Sequence, residues 1–360
     1  MSDQGGPGRP GRRALLALAG GTAAAALLGN APGTAAAQAA GRTPRANRPP
    51  HRTRSPRGAG GITDERFGLD GPHVPWLTDC TLRHPTVMQS FAFDETHQHL
   101  YALQVVPGGV RLPAETRTRP HAARLRSGDL CLNRLTMDGV LLDHMYLKGF
   151  GHGSAMGIEE RADGGTVLYT ECDAGPASGH GRAVARFAYA PGRVLHGDAP
   201  GLDCYRAKPG STGNSVAVDL AGRRLLLRYR RNGEHRYALY DLDGFVAELF
   251  DPLADFAQPD PGPDLRFQGM ALYGDYAYQV LGPATVPARR TATGPTTCLT
   301  CLDLRTGRVV AETRRETSYA AGPMAPEGLA VLRSGGPRLC LGFASGPVGA
   351  RAFAVYQQQS

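Results

Sequence analysis

QSFAFD, residues 89–94, sets a polar residue, then a small one, ahead of an alternating apolar strand. The small residue ahead of an apolar strand returns four times. It appears as Met156-Gly157-Ile158-Glu159-Glu160, as Asn214-Ser215-Val216-Ala217-Val218-Asp219, as Gln268-Gly269-Met270-Ala271-Leu272, and as Glu327-Gly328-Leu329-Ala330-Val331. The small residues stand at 90, 157, 215, 269 and 328, so the spacings are 67, 58, 54 and 59 residues. A fixed period of this size marks a repeat architecture, in which each unit is one supersecondary element that buries its faces against its neighbours.

Each unit continues with hairpin signals. The first copy is followed by the strand at 99–106 and then by 129–135 and 140–146, joined through Met137-Asp138-Gly139. Later units carry VARFAYAPGRVL (184–195), YALYDLDGFVAEL (237–249) and CLTCLDLRTGRVVAET (298–313), and the chain closes with ARAFAVYQ (350–357). Pro-Gly, Asp-Gly and Thr-Gly between apolar runs read as tight turns. Four strands in each of five units predict an all-β, five-bladed β-propeller. A two-sheet sandwich is the alternative weighed, and it leaves the repeat period without a cause. The innermost strands of a propeller crowd around its axis, which accounts for Ser or Gly at the repeated small position.

The charge is confined to one end. The 360 residues carry a formal net charge of +8. Residues 1–61 hold nine arginines and one aspartate, which leaves 31 basic and 31 acidic residues in the remainder. A neutral folded part lacks the electrostatic footprint of a nucleic-acid-binding domain. Arg12-Arg13, an apolar run from Ala14 to Leu28, and Ala37-Gln38-Ala39 form an export signal over 1–39, and the arginine pair suits the twin-arginine route. The run is too short and too alanine-rich for a membrane span, so none is expected in the mature chain. Residues 40–75, rich in Pro, Arg and Gly, read as a disordered linker and 76–360 as the propeller. The expected location is secreted or extracellular, with association to the cell wall open.

Seven cysteines allow one or two disulfides after export, and the sequence does not say which. Cys298-x-x-Cys301 has the spacing of half a zinc site. On a strand those two thiols point to opposite faces, so neither a metal nor another cofactor is expected.

One stretch combines unusual features: KGFGHGSAMGIEE, 148–160, followed by TVLYTECDA. Together with QSFAFD, HLYALQV and GDLCLNRLTMDG, it resembles the propeller family shared by receptor-binding (baseplate or tail) proteins of certain staphylococcal phages and teichoic acid biosynthesis protein C. The resemblance runs over residues 80–357. It implies a five-bladed propeller that handles cell-surface glycopolymers such as wall teichoic acid. The export signal, and no obvious virion-attachment segment, favour a secreted host protein over a tail fibre.

The candidate site follows from the repeat. Gln89, His152, Asn214, Gln268 and Glu327 stand near the starts of the five inner strands and are expected to converge at one mouth of the channel. Amide, imidazole and carboxyl groups there offer directed donors and acceptors to sugar hydroxyls. Lys148 and Arg228 are candidate partners for an anionic group. The expected partner is therefore a polysaccharide or wall glycopolymer. Tyr101, Tyr146, Tyr169, Trp76 and Tyr273 are candidates for stacking on sugars. His152 is also the candidate catalytic base of a polysaccharide lyase, the enzymatic alternative; a hydrolase would need two carboxylates at defined separation, and no pair stands out. A protein-interaction propeller without a sugar ligand is the third reading. Oligomeric state is not legible.

Overall fold

A computed structural model describes residues 66–161, 164–260, 262–283, 296–316, 318–319, 322–323 and 325–358. The export signal, and the linker up to residue 65, lie outside the described residues. The rest is a five-bladed β-propeller.

Blade one runs outward from Met88–Asp94 through His99–Val105, Leu130–Thr136 and Leu141–Lys148. Blade two contains Gly157–Glu160, Thr166–Ala174, Gly181–Ala188 and Asp203–Tyr205. Blade three contains Thr212–Asp219, Arg224–Arg231, Glu234–Asp241 and Ala254–Ala257. Blade four contains Leu265–Tyr273, Tyr276–Pro283, Thr296–Asp303 and Arg308–Glu316. Blade five contains Ala325–Leu332, Arg338–Ser345 and Ala352–Gln358, and its outer strand is His73–Cys80. The N-terminal strand thus pairs antiparallel with the C-terminal one, His73 opposite Gln358 and Phe353 opposite Cys80. The ring is closed by hydrogen bonds between the two ends of the folded chain.

The core lies between blades. Leu225, Leu227 and Tyr229 pack with Tyr169 and Val184 of blade two, whereas Leu226 packs with Met270 and Leu272 of blade four. Because successive side chains on a strand face opposite ways, and each blade is sandwiched between two others, both faces are apolar. This is why LLLRY (225–229) reads as a continuous apolar run rather than a half-buried alternation. Equivalent clusters join blades one and two, four and five, and five and one. At the axis the crowding inferred from the repeat is real. A Cβ on Gly269 would fall 2.7 Å from the Gly328 Cα, and one on Gly157 would fall 2.4 Å from a Val218 methyl.

Three sequence expectations change. The 237–249 stretch is not a hairpin: Asp241 accepts a hydrogen bond from the Gly244 N–H at 2.7 Å and caps a short helix, Leu242–Val246, which buries Leu242 and Phe245. The outer strand of blade three lies further on, at Ala254–Ala257. The second half of 184–195 does not return to its own blade. Val194–His196 pairs parallel with Leu141–Lys148 and becomes a fifth strand of blade one, with Leu195 in the core between blades one and two. Lastly, the stretch read as linker over 40–75 contains Phe67 and Leu69, both buried between blades four and five, and the start of the closing strand. Among the described residues no helix is long and apolar enough to cross a membrane.

Candidate functional site

The repeated polar-small dipeptide coincides with a break in strand pairing. Register shifts fall between Met88 and Ser90, between Thr212 and Ser215, between Phe267 and Gly269, and between Pro326 and Leu329. A bulge leaves a residue out of the ladder and re-aims its side chain. In four blades the residues at the break include Gln89, Asn214, Gln268 and Glu327. Blades four, five and one touch at this level, since Gly269 lies against Gly328 and a Cβ on Gly328 would fall 3.1 Å from the Ser90 Cα. Gln268, Glu327 and Gln89 are therefore neighbours. All three are half-buried, and none of their side chains hydrogen-bonds to a described residue. Burial raises the pKa of the Glu327 carboxyl well above the usual carboxylate range, against a lowering contribution from Arg351.

Asn214 departs from that role. It is buried, donates to the Gly181 carbonyl at 3.0 Å and accepts from the Ser211 hydroxyl at 3.0 Å. Its amide braces blade three against blade two and is closed to a ligand.

In blade two the position equivalent to these residues is Met156, and His152 lies in the loop before the inner strand. That loop is moulded around Glu171, which is 1% exposed. One carboxylate oxygen accepts the N–H groups of His152 and Gly153, each at 2.7 Å, and the other accepts the Gly181 N–H at 2.5 Å. Gly151 has to be glycine, because a Cβ there would fall 2.3 Å from the Glu171 carboxyl carbon. The Ser90 hydroxyl donates to the Gly153 carbonyl at 2.7 Å and ties the loop to the inner strand of blade one, beside Gln89. Glu171 thereby joins two Gly-His-Gly tripeptides, 151–153 and 179–181. Their imidazoles lie 5.4 Å apart, His152 half-buried and His180 exposed. Burial, with the neighbouring His180, pulls the His152 pKa down to about 4. The ring is neutral at pH 7, one nitrogen donating and one accepting.

Arg228 pairs with Ser215 and stands one strand behind the channel lining. It is 8% exposed. Its guanidinium lies 4.0 Å from the centre of the Phe267 ring, and its Nε donates to the Gln258 Oε1 at 2.8 Å. Gln258 and Tyr237 both donate to the Gln279 Oε1, at 3.0 and 2.8 Å. Burial lowers the Arg228 pKa, and the guanidinium also feels the charge of Glu171. Among the described residues no carboxylate forms a salt bridge with Arg228, and Glu171 is already engaged by three backbone donors.

Lys148 lies elsewhere. Its Nζ is 3.0 Å from Glu115, whose other oxygen takes buried Arg124 at 2.5 Å. Arg124, the main cause, holds Glu115 down to about 2. Lys148 belongs to this ion network rather than to the channel mouth. Of the aromatic candidates, Tyr101, Tyr146, Tyr169 and Tyr273 are core residues, and Trp76 sits on the closing strand, packed against Phe93. Cys298 and Cys301 fall in different core clusters, as strand parity requires. Among the described residues no three His, Cys, Asp or Glu side chains are grouped to hold a metal ion.

The opposite end of the channel is committed to itself. Glu160 accepts the Glu95 N–H, Glu95 accepts the N–H of Arg333, and Arg333 pairs with Asp219 at 2.5 Å. These bonds link blades one, two, three and five around a cavity of about 280 Å³ lined by Ala92, Ile158, Val218, Leu272 and Val331, among others. Gln89, Gln268, Glu327 and the imidazoles of His152 and His180 thus collect at the other end, with Glu171 and Gln258 committed behind them to the His152 loop and to Arg228. The second Gly-His-Gly at 179–181 was the available signal for His180.

Fold and site together define a closed five-bladed propeller with a polar channel mouth. Residues 87–357 match the phage 5-bladed beta propeller receptor binding platform domain, and the chain belongs to that family. It is 28% identical over 211 residues to the putative major teichoic acid biosynthesis protein C of Bacillus subtilis (strain 168), covering 57% of this chain and 44% of the relative. The chain therefore spans less than half the length of that relative. The tail fibre of Staphylococcus aureus phage P68 has the same fold, with a TM-score of 0.61 at 20% identity over 81% of this chain and 54% of the fibre.

Proposed function

We propose that this protein is a secreted propeller that binds a cell-envelope glycopolymer at the mouth formed by Gln89, Gln268, Glu327 and His152, backed by Arg228. The observation that carries this reading is the trio Gln89, Glu327 and Gln268. They are half-buried, set on bulged inner strands, and without a side-chain hydrogen bond to any described residue. Their donors and acceptors are free to exchange water for a ligand's hydroxyl groups. Membership of a receptor-binding platform family and the teichoic-acid-related relative support a glycopolymer as that ligand.

The test is cosedimentation of purified protein with isolated Gram-positive cell walls, before and after acid extraction of their covalently attached glycopolymers. Retention by intact walls and release from stripped ones is expected. Equal retention by both would move the reading to peptidoglycan or to a protein partner.

The imidazole pair favours one second reading, a polysaccharide lyase in which His152 removes a proton and Arg228 faces the uronate carboxylate. Lys148 is held by Glu115 and does not take that part. A rise in ultraviolet absorbance from unsaturated product, lost in His152→Ala, is the expected signature; no rise across a panel of uronate polysaccharides removes this reading.

A further inference from the structure

The Sγ atoms of Cys172 and Cys204 lie 3.0 Å apart. Even carbon atoms in unbonded contact sit roughly 3.5–4.0 Å apart. Cys172 is in the second strand of blade two and Cys204 in its outer strand, on either side of Gly181–Ala188. Cys172 pairs in register with Ala183, and Cys204 with Ala185. Between the two cysteines the intervening strand presents only the methyl groups of Ala183 and Ala185, and the sulfurs meet across them. A second contact holds the same segments together: Asp173 pairs with Arg206 at 2.6 Å. No other pair of thiols in the chain is in contact, and Cys131, Cys298, Cys301 and Cys340 are each buried in a different cluster.

We propose that Cys172 and Cys204 form a redox-responsive pair that closes to a disulfide and locks the outer strand Asp203–Tyr205 onto blade two. The two thiols are unequal in a way that sets the order of events. Cys204 is half-exposed, and the thiol of Cys172 and the charge of Arg206 lower its pKa toward neutrality, whereas Cys172 is buried. Cys204 thiolate attacks a low-molecular-weight disulfide such as oxidised glutathione, forming a mixed disulfide and expelling one glutathione thiolate. Cys172 then loses its proton to solvent and attacks the Cys204 sulfur, expelling the second glutathione. Two protein thiols are oxidised and one small-molecule disulfide is reduced to two thiols. The product ties together residues 32 apart in sequence, which restricts the unfolded chain. It also fixes a strand that is only three residues long.

The experiment uses the full chain, purified with reductant, exchanged into oxidised glutathione, then alkylated under denaturing conditions and digested with trypsin without reduction. Cleavage after arginine places Cys172 alone in peptide 162–182 and Cys204 alone in peptide 194–206. The expected result is a single linked species of these two peptides, five alkylated cysteines in the intact protein, and a melting temperature several degrees above that of the reduced form. Cys172→Ser and Cys204→Ser are each expected to remove the link, and Cys80→Ser to leave it. Seven alkylated cysteines, glutathione retained on Cys204 with Cys172 free, or a link to any other cysteine would each overturn the proposal.

Discussion

Removing the Glu171 carboxylate would strand three backbone N–H groups in a site closed to water. Each orphaned donor costs roughly 1–3 kcal/mol, so Glu171→Ala is expected to lower the unfolding free energy by about 3 kcal/mol or more in urea denaturation. Glu327 is the converse. Burial raises its pKa, so the native state binds that proton more tightly than the unfolded chain does. The group therefore costs stability as pH rises above the ordinary carboxylate range. Glu327→Gln is expected to raise the melting temperature at pH 7 while weakening glycopolymer binding roughly tenfold, about 1.4 kcal/mol. A residue retained for packing would not show that opposition. The imidazoles of His73, His84 and His152 are held near a pKa of about 4, with burial the leading cause. The unfolded chain takes up these protons near pH 6.5. Between pH 6.5 and 4 the unfolded state binds more protons, so stability falls as pH drops through that window. His152→Asn is expected to flatten the slope of melting temperature against pH there.

At the scale of elements, the inner strands were the most legible part of the chain. Their small-apolar order is imposed by crowding at the axis, and the break in register at four of the five copies explains why a polar residue precedes the small one there. The outer strands were less legible because nothing crowded marks them. Val194–His196 crosses to the neighbouring blade, held there by the Tyr146 N–H donating to the Arg193 carbonyl at 2.9 Å, a contact between segments nearly fifty residues apart. Asp241-Leu-Asp-Gly reads equally well as a turn and as a helix cap. Among the candidate site residues, Gln89, Gln268 and Glu327 were visible as members of the repeat. Asn214 was visible too, but its second-neighbour partners Ser211 and Gly181 were not, and they make it a brace. His152 was noticed for its glycines, although the equivalent position is Met156. The carboxylate behind it could not be chosen from sequence, because Glu159, Glu160 and Glu171 all lie in the same blade. Glu159 turned out to serve Tyr169 and Arg186, at 2.7 and 3.0 Å, and Glu160 the turn at Glu95.

For the whole molecule, closure depends on a segment that composition alone assigned to a linker. Phe67 places its ring 4.7 Å from that of Tyr273 and 5.3 Å from that of Tyr278, and its N–H donates to the Tyr278 hydroxyl at 2.9 Å. Phe67→Ala is expected to cost about 3 kcal/mol or more, the range of a buried aromatic truncation, measured by chemical denaturation; an exposed linker residue would cost almost nothing. With the ring closed, one end of the channel is consumed by Glu95, Glu160, Asp219 and Arg333, and at the other the side chains of Gln89, Gln268 and Glu327 make no hydrogen bond to a described residue. The central claim is that this second mouth is a glycopolymer site. It is tested most directly by calorimetric titration of purified wall glycopolymer into wild-type protein and into the double variant Gln268→Ala/Glu327→Ala, with circular dichroism confirming that both are folded. Saturable binding to the wild type and at least a roughly tenfold loss in the variant is the expected result. Equal affinity in the two folded proteins, or no binding to the wild type, would contradict it.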